Sequence, residues 1–154
     1  MNRRQALSAV GAVLVAPGSL LATREAPDPW SNRLTRAIHA VETGGRSGFI
    51  YGDGGRALGG LQIHKACWID ALGHDLRHSG RWGLSWPGPN PRHMATWLWV
   101  TDIRYARRVF HSYCHRYHAR DDESRARLWN AGPRFRSRMA ATDRYWSKVK
   151  ARLA

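Results

Sequence analysis

Glu42, Asp53 and Gln62 are the residues whose types and spacing suggest chemistry. They lie in three glycine-bearing segments, Val41-Glu42-Thr43-Gly44-Gly45, Gly52-Asp53-Gly54-Gly55 and Gly59-Gly60-Leu61-Gln62-Ile63. Breaking a glycosidic bond requires a proton on the leaving oxygen. A carboxyl group supplies it near neutral pH only if its pKa is raised, usually by apolar surroundings. Glu42 follows Val41 at the end of an apolar helical stripe, which is such a setting. Asp53, eleven positions on, is a candidate second carboxylate, since glycosidases generally work with a pair. Gln62 sits on a bare glycine backbone that leaves room for a bulky substrate. Each residue also has a plainer reading. Helix-end glutamates are commonly solvated, and Gly-Asp-Gly-Gly makes a good turn without any catalysis.

The elements that must position these residues follow from pattern. A first helix is expected over about Trp30 to Glu42, with Ser31 as N-cap and Leu34, Ala37, Ile38 and Val41 as its buried stripe. Gly44-Gly45 ends it. Residues 45–63 read as a small β-ribbon or irregular region, with Phe49-Ile50-Tyr51 as a short strand. A second helix follows over His64 to Leu76, with Cys67, Ala71 and Trp68 inward. The longest helix is expected from Asn90-Pro91 to His118, with Met94, Trp97, Leu98, Thr101, Tyr105, Val109 and Tyr113 on one face. Asp121-Asp122 starts a short helix ending near Asn130, and a last helix covers Thr142 to Leu153. The expected fold is mostly α (α+β), one domain with a small β excursion after the first helix.

The chain has 154 residues, enough to bury a core without staples. Its formal charge of +14 points to anionic partners such as nucleic acid, anionic lipid or an acidic cell-wall polymer. Arginines are spread along helices rather than massed in a tail, and no zinc-finger, RNA-recognition or basic-zipper motif is present. Eight tryptophans suit either a ligand-lining role or the packing of long helices. Residues 1–22 read as an export signal: Arg3-Arg4, then a short apolar run from Ala6 to Ala16 broken by Pro17-Gly18. The paired arginines allow a twin-arginine route, and the residues after them leave a general secretory route open. Residues 23–29 read as a linker and 30–154 as the folded domain, periplasmic or extracellular. Cys67 and Cys114 either join in a disulfide or stay buried thiols.

His111 and His115, four apart on one helix, have a spacing that can hold a metal. They lack an acidic or cysteine partner, so a solvated basic face is the expectation, with no metal and no cofactor. Gly54-Gly55-Arg56-Ala57-Leu58-Gly59 lacks the Gly-Lys-Ser/Thr ending of a phosphate loop.

Four segments in order carry a resemblance. Glu42-Thr43-Gly44-Gly45, Gly59-Gly60-Leu61-Gln62-Ile63, Trp129-Asn130-Ala131-Gly132-Pro133 and Tyr145 resemble the soluble lytic transglycosylase domain of the lysozyme superfamily. That family shows a Glu-Ser pair, a Gly-Leu-Met-Gln segment, an Ala-Tyr-Asn-Ala-Gly-Pro segment and a late tyrosine. The stretch from Glu42 to Asp70 is also similar to invertebrate-type lysozymes. The resemblance implies a lysozyme-like fold with a cleft for β-1,4-linked N-acetylmuramic acid and N-acetylglucosamine. It makes Glu42 the acid, places Gln62 and Asn130 along the glycan, puts Tyr145 near the acid and gives Thr43 the place of the serine. Trp129 stands where tyrosine is usual. Two mechanisms follow. In a transglycosylase Glu42 acts alone and a 1,6-anhydro ring closes; in a hydrolytic lysozyme Asp53 assists and water completes the reaction. The reading from another class is a non-catalytic module that binds cell-wall glycan through its charge. The expected partner is peptidoglycan, met by a monomer, with no role for nucleic acid.

Overall fold

The computed structural model describes residues 28–84 and 97–154. The leader, most of the linker, and Asn90 to Met94 at the start of the expected long helix lie outside the described residues. The chain is mostly helical, with one small three-stranded antiparallel sheet directly after the first helix. This is the α+β arrangement the pattern predicts.

Helix α1 spans Arg33–Thr43. Its N-cap is Asn32 rather than Ser31, because Asn32 and Thr35 satisfy each other. Thr35 N–H donates to Asn32 Oδ1 at 2.9 Å, and Asn32 N–H donates to Thr35 Oγ1 at 3.1 Å. Trp30 and Ser31 instead lie in a turn closed by Asp28, whose carboxylate also meets Arg107 at 2.8 Å. The helix ends at Gly44, which takes a left-handed φ of 65° and donates to Ala40 O.

The sheet comprises β1 (Tyr51–Gly52), β2 (Ala57–Leu58) and β3 (Ile63–His64), in that spatial order. Leu58 lies opposite both Tyr51 and Ile63. Phe49 and Ile50, expected in the first strand, precede it. Helix α2 spans Lys65–Arg77, and Trp68 and Ala71 face inward as predicted while Cys67 is only half-buried.

The expected long helix is interrupted. A 3-10 turn at Leu98–Thr101 gives way to extended backbone at Asp102 (φ −77°, ψ 118°), and helix α3 begins afresh over Ile103–Arg116. Asp102 explains the break: its carboxylate accepts from Arg104 N at 2.7 Å and Tyr105 N at 3.4 Å, so it caps a new helix. Leu98 is consequently exposed while Trp97, Tyr105, Val109 and Tyr113 are buried. Helix α4 spans Asp122–Ala131, capped by Asp121 as expected. A 3-10 segment over Gly132–Arg138 leads into α5, Met139–Lys150, which starts three residues before the expected Thr142.

Every α-helix and the central strand contribute to one core: Ile38 of α1, Leu58 of β2, Trp68 of α2, Phe110 of α3, Leu128 of α4 and Val149 of α5 are each 1% exposed or less. All seven tryptophans among the described residues belong to this core or pack against it, which answers most of the tryptophan excess with packing. Trp68 Nε1–H donates to the Tyr105 hydroxyl at 3.0 Å, and that hydroxyl donates to Leu84 O at 3.2 Å. Asp75, fully buried, accepts from Trp82 N at 2.6 Å and Leu84 N at 2.7 Å, so the segment after α2 is held by charge-assisted bonds. Cys67 and Cys114 are free thiols, and burial raises the pKa of both. No helix among the described residues is long and apolar enough to cross a membrane.

Candidate active site

Glu42 occupies the last turn of α1. It stands four residues after Ile38 and eight after Leu34, so it continues the face that those two bury. Its carboxyl is therefore drawn toward the core, and the site is closed from the other side by α5. The Tyr145 hydroxyl donates to Glu42 Oε1 at 2.7 Å. Burial raises the Glu42 pKa above the ordinary glutamate value, and this outweighs the lowering effects of the Tyr145 hydrogen bond and the nearby Lys148 ammonium. The negative end of the α1 dipole acts in the same direction as burial. Tyr145 is held well above the ordinary phenol value, by burial first and then by the Glu42 charge, so its hydroxyl stays a donor. The outcome is a carboxyl held by one fixed hydrogen bond, with its pKa above the ordinary glutamate value.

Thr43 is buried beside it. Its hydroxyl lies 2.8 Å from Arg46 O, 3.0 Å from Gly60 O and 3.3 Å from His39 O. A hydroxyl so engaged is committed to the fold; Thr43 fixes the end of α1 against the Gly59-Gly60 segment rather than reaching a substrate. His39 completes this brace, with Nε2 2.8 Å from Arg46 O and 3.2 Å from Ser47 Oγ.

The glycines before Gln62 are present for close packing. A Cβ on Gly59, whose φ is +81°, would fall 2.2 Å from Val100 O. One on Gly60 would fall 2.6 Å from His39 Nε2. The bareness of this backbone thus admits the rest of the fold, where the sequence reading reserved it for substrate. Gln62 itself has a positive φ of 52°, and its amide donates to Gly59 O at 2.9 Å and Ile50 O at 3.1 Å. A Cβ on Gly52 would overlap the Gln62 amide oxygen at 1.6 Å. Gln62 therefore locks the ribbon.

Gln62 and Asn130 line one cavity of about 190 Å³, together with His64, Cys67 and Trp129. Trp129 Nε1–H donates to Leu61 O at 3.1 Å, which ties α4 to the Gln62 segment. The structure thus forms two groups. Glu42 bonds Tyr145 across α1 and α5, Gln62 and Asn130 line one cavity between the ribbon and α4, and Thr43 links α1 to the Gln62 segment through Gly60.

Asp53 bonds to neither Glu42 nor Tyr145, and it borders the second group through His64. It lies in a 3-10 turn at φ 49°, its side chain is 46% exposed, and its carboxylate pairs with Arg56 Nη2 at 2.7 Å and His64 Nε2 at 3.5 Å. An exposed carboxylate already held by a guanidinium is the corner of a turn. Two exposed aromatics of the same ribbon, Phe49 and Tyr51, are 67% and 61% exposed and offer flat apolar faces. Sequence reasoning took them for strand residues; a Phe-Ile-Tyr run before a glycine turn does not say which rings stay outside.

A larger cavity of about 250 Å³ lies away from Glu42, between Trp30, Trp82, His115 and the cationic side chains Arg81, Arg120 and Arg125. His111 and His115, the pair singled out by spacing, both line this cavity, but their ring nitrogens have different partners. His111 Nε2 lies 3.1 Å from Trp30 O, whereas His115 joins His74 and His78. Burial, reinforced by the charges of His78, His115, Arg77 and Arg116, lowers the His74 pKa to about 4. The trio escaped the spacing argument because it spans two helices, although His74 and His78 were themselves four apart.

Comparison of the chain with protein-family models, curated proteins and solved structures finds no significant match.

Proposed function

We propose that this chain cleaves peptidoglycan at the β-1,4 bond between N-acetylmuramic acid and N-acetylglucosamine, as a lytic transglycosylase with Glu42 as its single acid and base. The observation that carries the reading is the Glu42–Tyr145 pair: a carboxyl at the end of a buried helix face, raised in pKa by burial and fixed by a 2.7 Å bond. The four-segment resemblance supplies the substrate class. The export-signal pattern of residues 1–22 supports a periplasmic or extracellular setting for that activity.

Protonated Glu42 gives its proton to the glycosidic oxygen, and the bond to the muramoyl C1 breaks with the electron pair leaving on that oxygen. The resulting carboxylate then takes the proton of the muramoyl C6 hydroxyl as that oxygen bonds to C1. The products are a free N-acetylglucosamine O4 hydroxyl and a 1,6-anhydro end; no water is consumed, and Glu42 returns protonated. The exposed, Arg56-paired Asp53 favours this one-carboxylate route over the hydrolytic route that needs a second carboxylate. Tyr145 orients the carboxyl, while the cavity edge at Gln62 and Asn130 receives the glycan.

The net charge of +14 favours a second reading, a module that holds cell-wall polymer without cutting it. Zymography on a peptidoglycan-loaded gel separates the two. Clearing by the wild-type chain and none by Glu42→Gln supports the enzyme. Retention of the glycan without clearing supports the module.

A further inference from the structure

His74, His78 and His115 form a group with no part in the Glu42 chemistry. His74 lies in the last turn of α2, His78 directly follows that helix, and His115 lies in the last turn of α3. One ring nitrogen from each lies within 4.8 Å of the other two. His74 Nε2 and His115 Nδ1 are 2.9 Å apart, a hydrogen bond in which one ring nitrogen donates to the other. His74 is 9% exposed, while His78 and His115 are open to solvent. Trp82 covers the group from the apolar side, its ring 5.2 Å from His74 and 5.0 Å from His115.

We propose that His74, His78 and His115 bind one zinc ion, which clamps the C-terminal ends of α2 and α3 together. Neutral imidazole is a standard zinc ligand, and three of them around tetrahedral zinc place their nitrogens roughly 3.3 Å apart for Zn–N bonds of about 2.0–2.1 Å. The 2.9 Å pair needs only a small opening, and the two solvent-open rings have freedom to turn toward it. His74 is the anchored member: packed against Trp82 and nearly buried, it gives the site one fixed ligand. The set is all nitrogen, which suits zinc and its transition-metal neighbours and not the oxygen-seeking magnesium or calcium.

The surroundings also define the fourth position. Arg81 and Arg120, with His115, line the 250 Å³ cavity beside the trio. Three neutral ligands leave the ion its full positive charge, and the arginines add more. The fourth ligand is therefore water or an anion drawn from that cavity, such as a carboxylate or phosphate oxygen. This site is independent of Glu42, and binding is read without reference to cleavage.

The test is zinc binding by the untagged, metal-stripped full chain, measured by competition with a chromophoric chelator, with a thermal melt in parallel. We expect one zinc per chain, no competition from magnesium, and a higher Tm in the presence of zinc, because the ion binds the folded chain. His78→Ala and His115→Ala change exposed rings. Each is expected to weaken zinc binding by at least about tenfold and to abolish the Tm gain. His64→Ala, an exposed histidine outside the trio, is expected to bind as wild type. The proposal is overturned by the absence of stoichiometric binding, by unchanged affinity in both trio variants, or by an equal loss in His64→Ala.

Discussion

The Tyr145 hydroxyl donates to Glu42 Oε1 at 2.7 Å, joining α5 to the last turn of α1 across 103 positions of sequence. This bond fixes the direction in which the carboxyl presents its proton. It also favours the ionised form slightly, against burial. Replacing Tyr145 by Phe removes the donor but keeps the ring. Cleavage is expected to fall about tenfold, the loss of one hydrogen bond to a charged group. The alkaline limb of the pH–rate profile is expected to move to higher pH, because a bond that lowers the Glu42 pKa is gone. A profile unchanged in both height and position would mean that Tyr145 does not act on Glu42.

Glu42→Gln separates chemistry from stability. The variant is expected to lose turnover and to melt at a higher temperature than wild type at neutral pH. The sign follows from linkage: a carboxyl whose folded pKa is raised stabilises the fold while protonated, and that contribution is lost as pH rises through its folded pKa. Gln resembles the protonated form at every pH. Melts from acid to neutral pH check this; the gap between variant and wild type should close as pH falls below the ordinary glutamate value.

The Gly59-Gly60 segment predicts a steep cost for small changes. Gly59→Ala places a Cβ 2.2 Å from Val100 O at a φ of +81°. Both the clash with backbone and the left-handed conformation oppose it, so a loss of about 3 kcal/mol or more is expected in chemical denaturation. Gly52→Ala is milder, because the Gln62 side chain can swing aside, at the expense of its bonds to Ile50 O and Gly59 O.

Arg127 staples α4 to α5, the helix that carries Tyr145. It is 6% exposed and bonds Met139 O at 2.6 Å, Thr142 Oγ1 at 2.7 Å, Glu123 at 2.7 Å and Asp143 at 2.8 Å. Arg127→Ala removes the bonds to Met139 O and Thr142 Oγ1 and the cation between Glu123 and Asp143, and an unfolding free energy about 2 kcal/mol lower is expected. Activity should fall with it, since α5 loses the contacts that set its start. Full activity and unchanged stability would show that α5 is placed by its apolar face alone.

Phe49 and Tyr51 project from the ribbon without a buried partner surface to explain them. Phe49→Ala and Tyr51→Ala are expected to raise the KM for peptidoglycan severalfold while changing stability by less than about 0.5 kcal/mol. Equal KM values would make these rings incidental to the glycan.

Much of this arrangement was legible from local pattern. The Leu34, Ala37, Ile38 stripe and the Gly44 stop place Glu42 correctly at the end of α1, and Asp121 marks the start of α4, because caps and periodic stripes are written within a few residues. The partners were not local. No pattern in α1 announces that Tyr145 returns to Glu42; only the resemblance suggested it. The glycines at 59 and 60 read as space for substrate, since sequence cannot show that Val100 O and His39 fill that space. Asp102 was absorbed into the expected helix from Asn90 to His118 because capping competes with periodicity, and capping prevailed. Asp53 looked equally good as a catalyst and as a turn corner until Arg56 appeared on its carboxylate.

The most direct test of the central claim is the mass of the muropeptides released from purified peptidoglycan by the wild-type chain, with Glu42→Gln alongside. The account predicts 1,6-anhydro-muramoyl ends, one water lighter than the hydrolytic product, from wild type and no release from the variant. Reducing muramoyl ends would contradict the single-carboxylate mechanism, and release by Glu42→Gln at the wild-type rate would contradict the assignment of Glu42 itself.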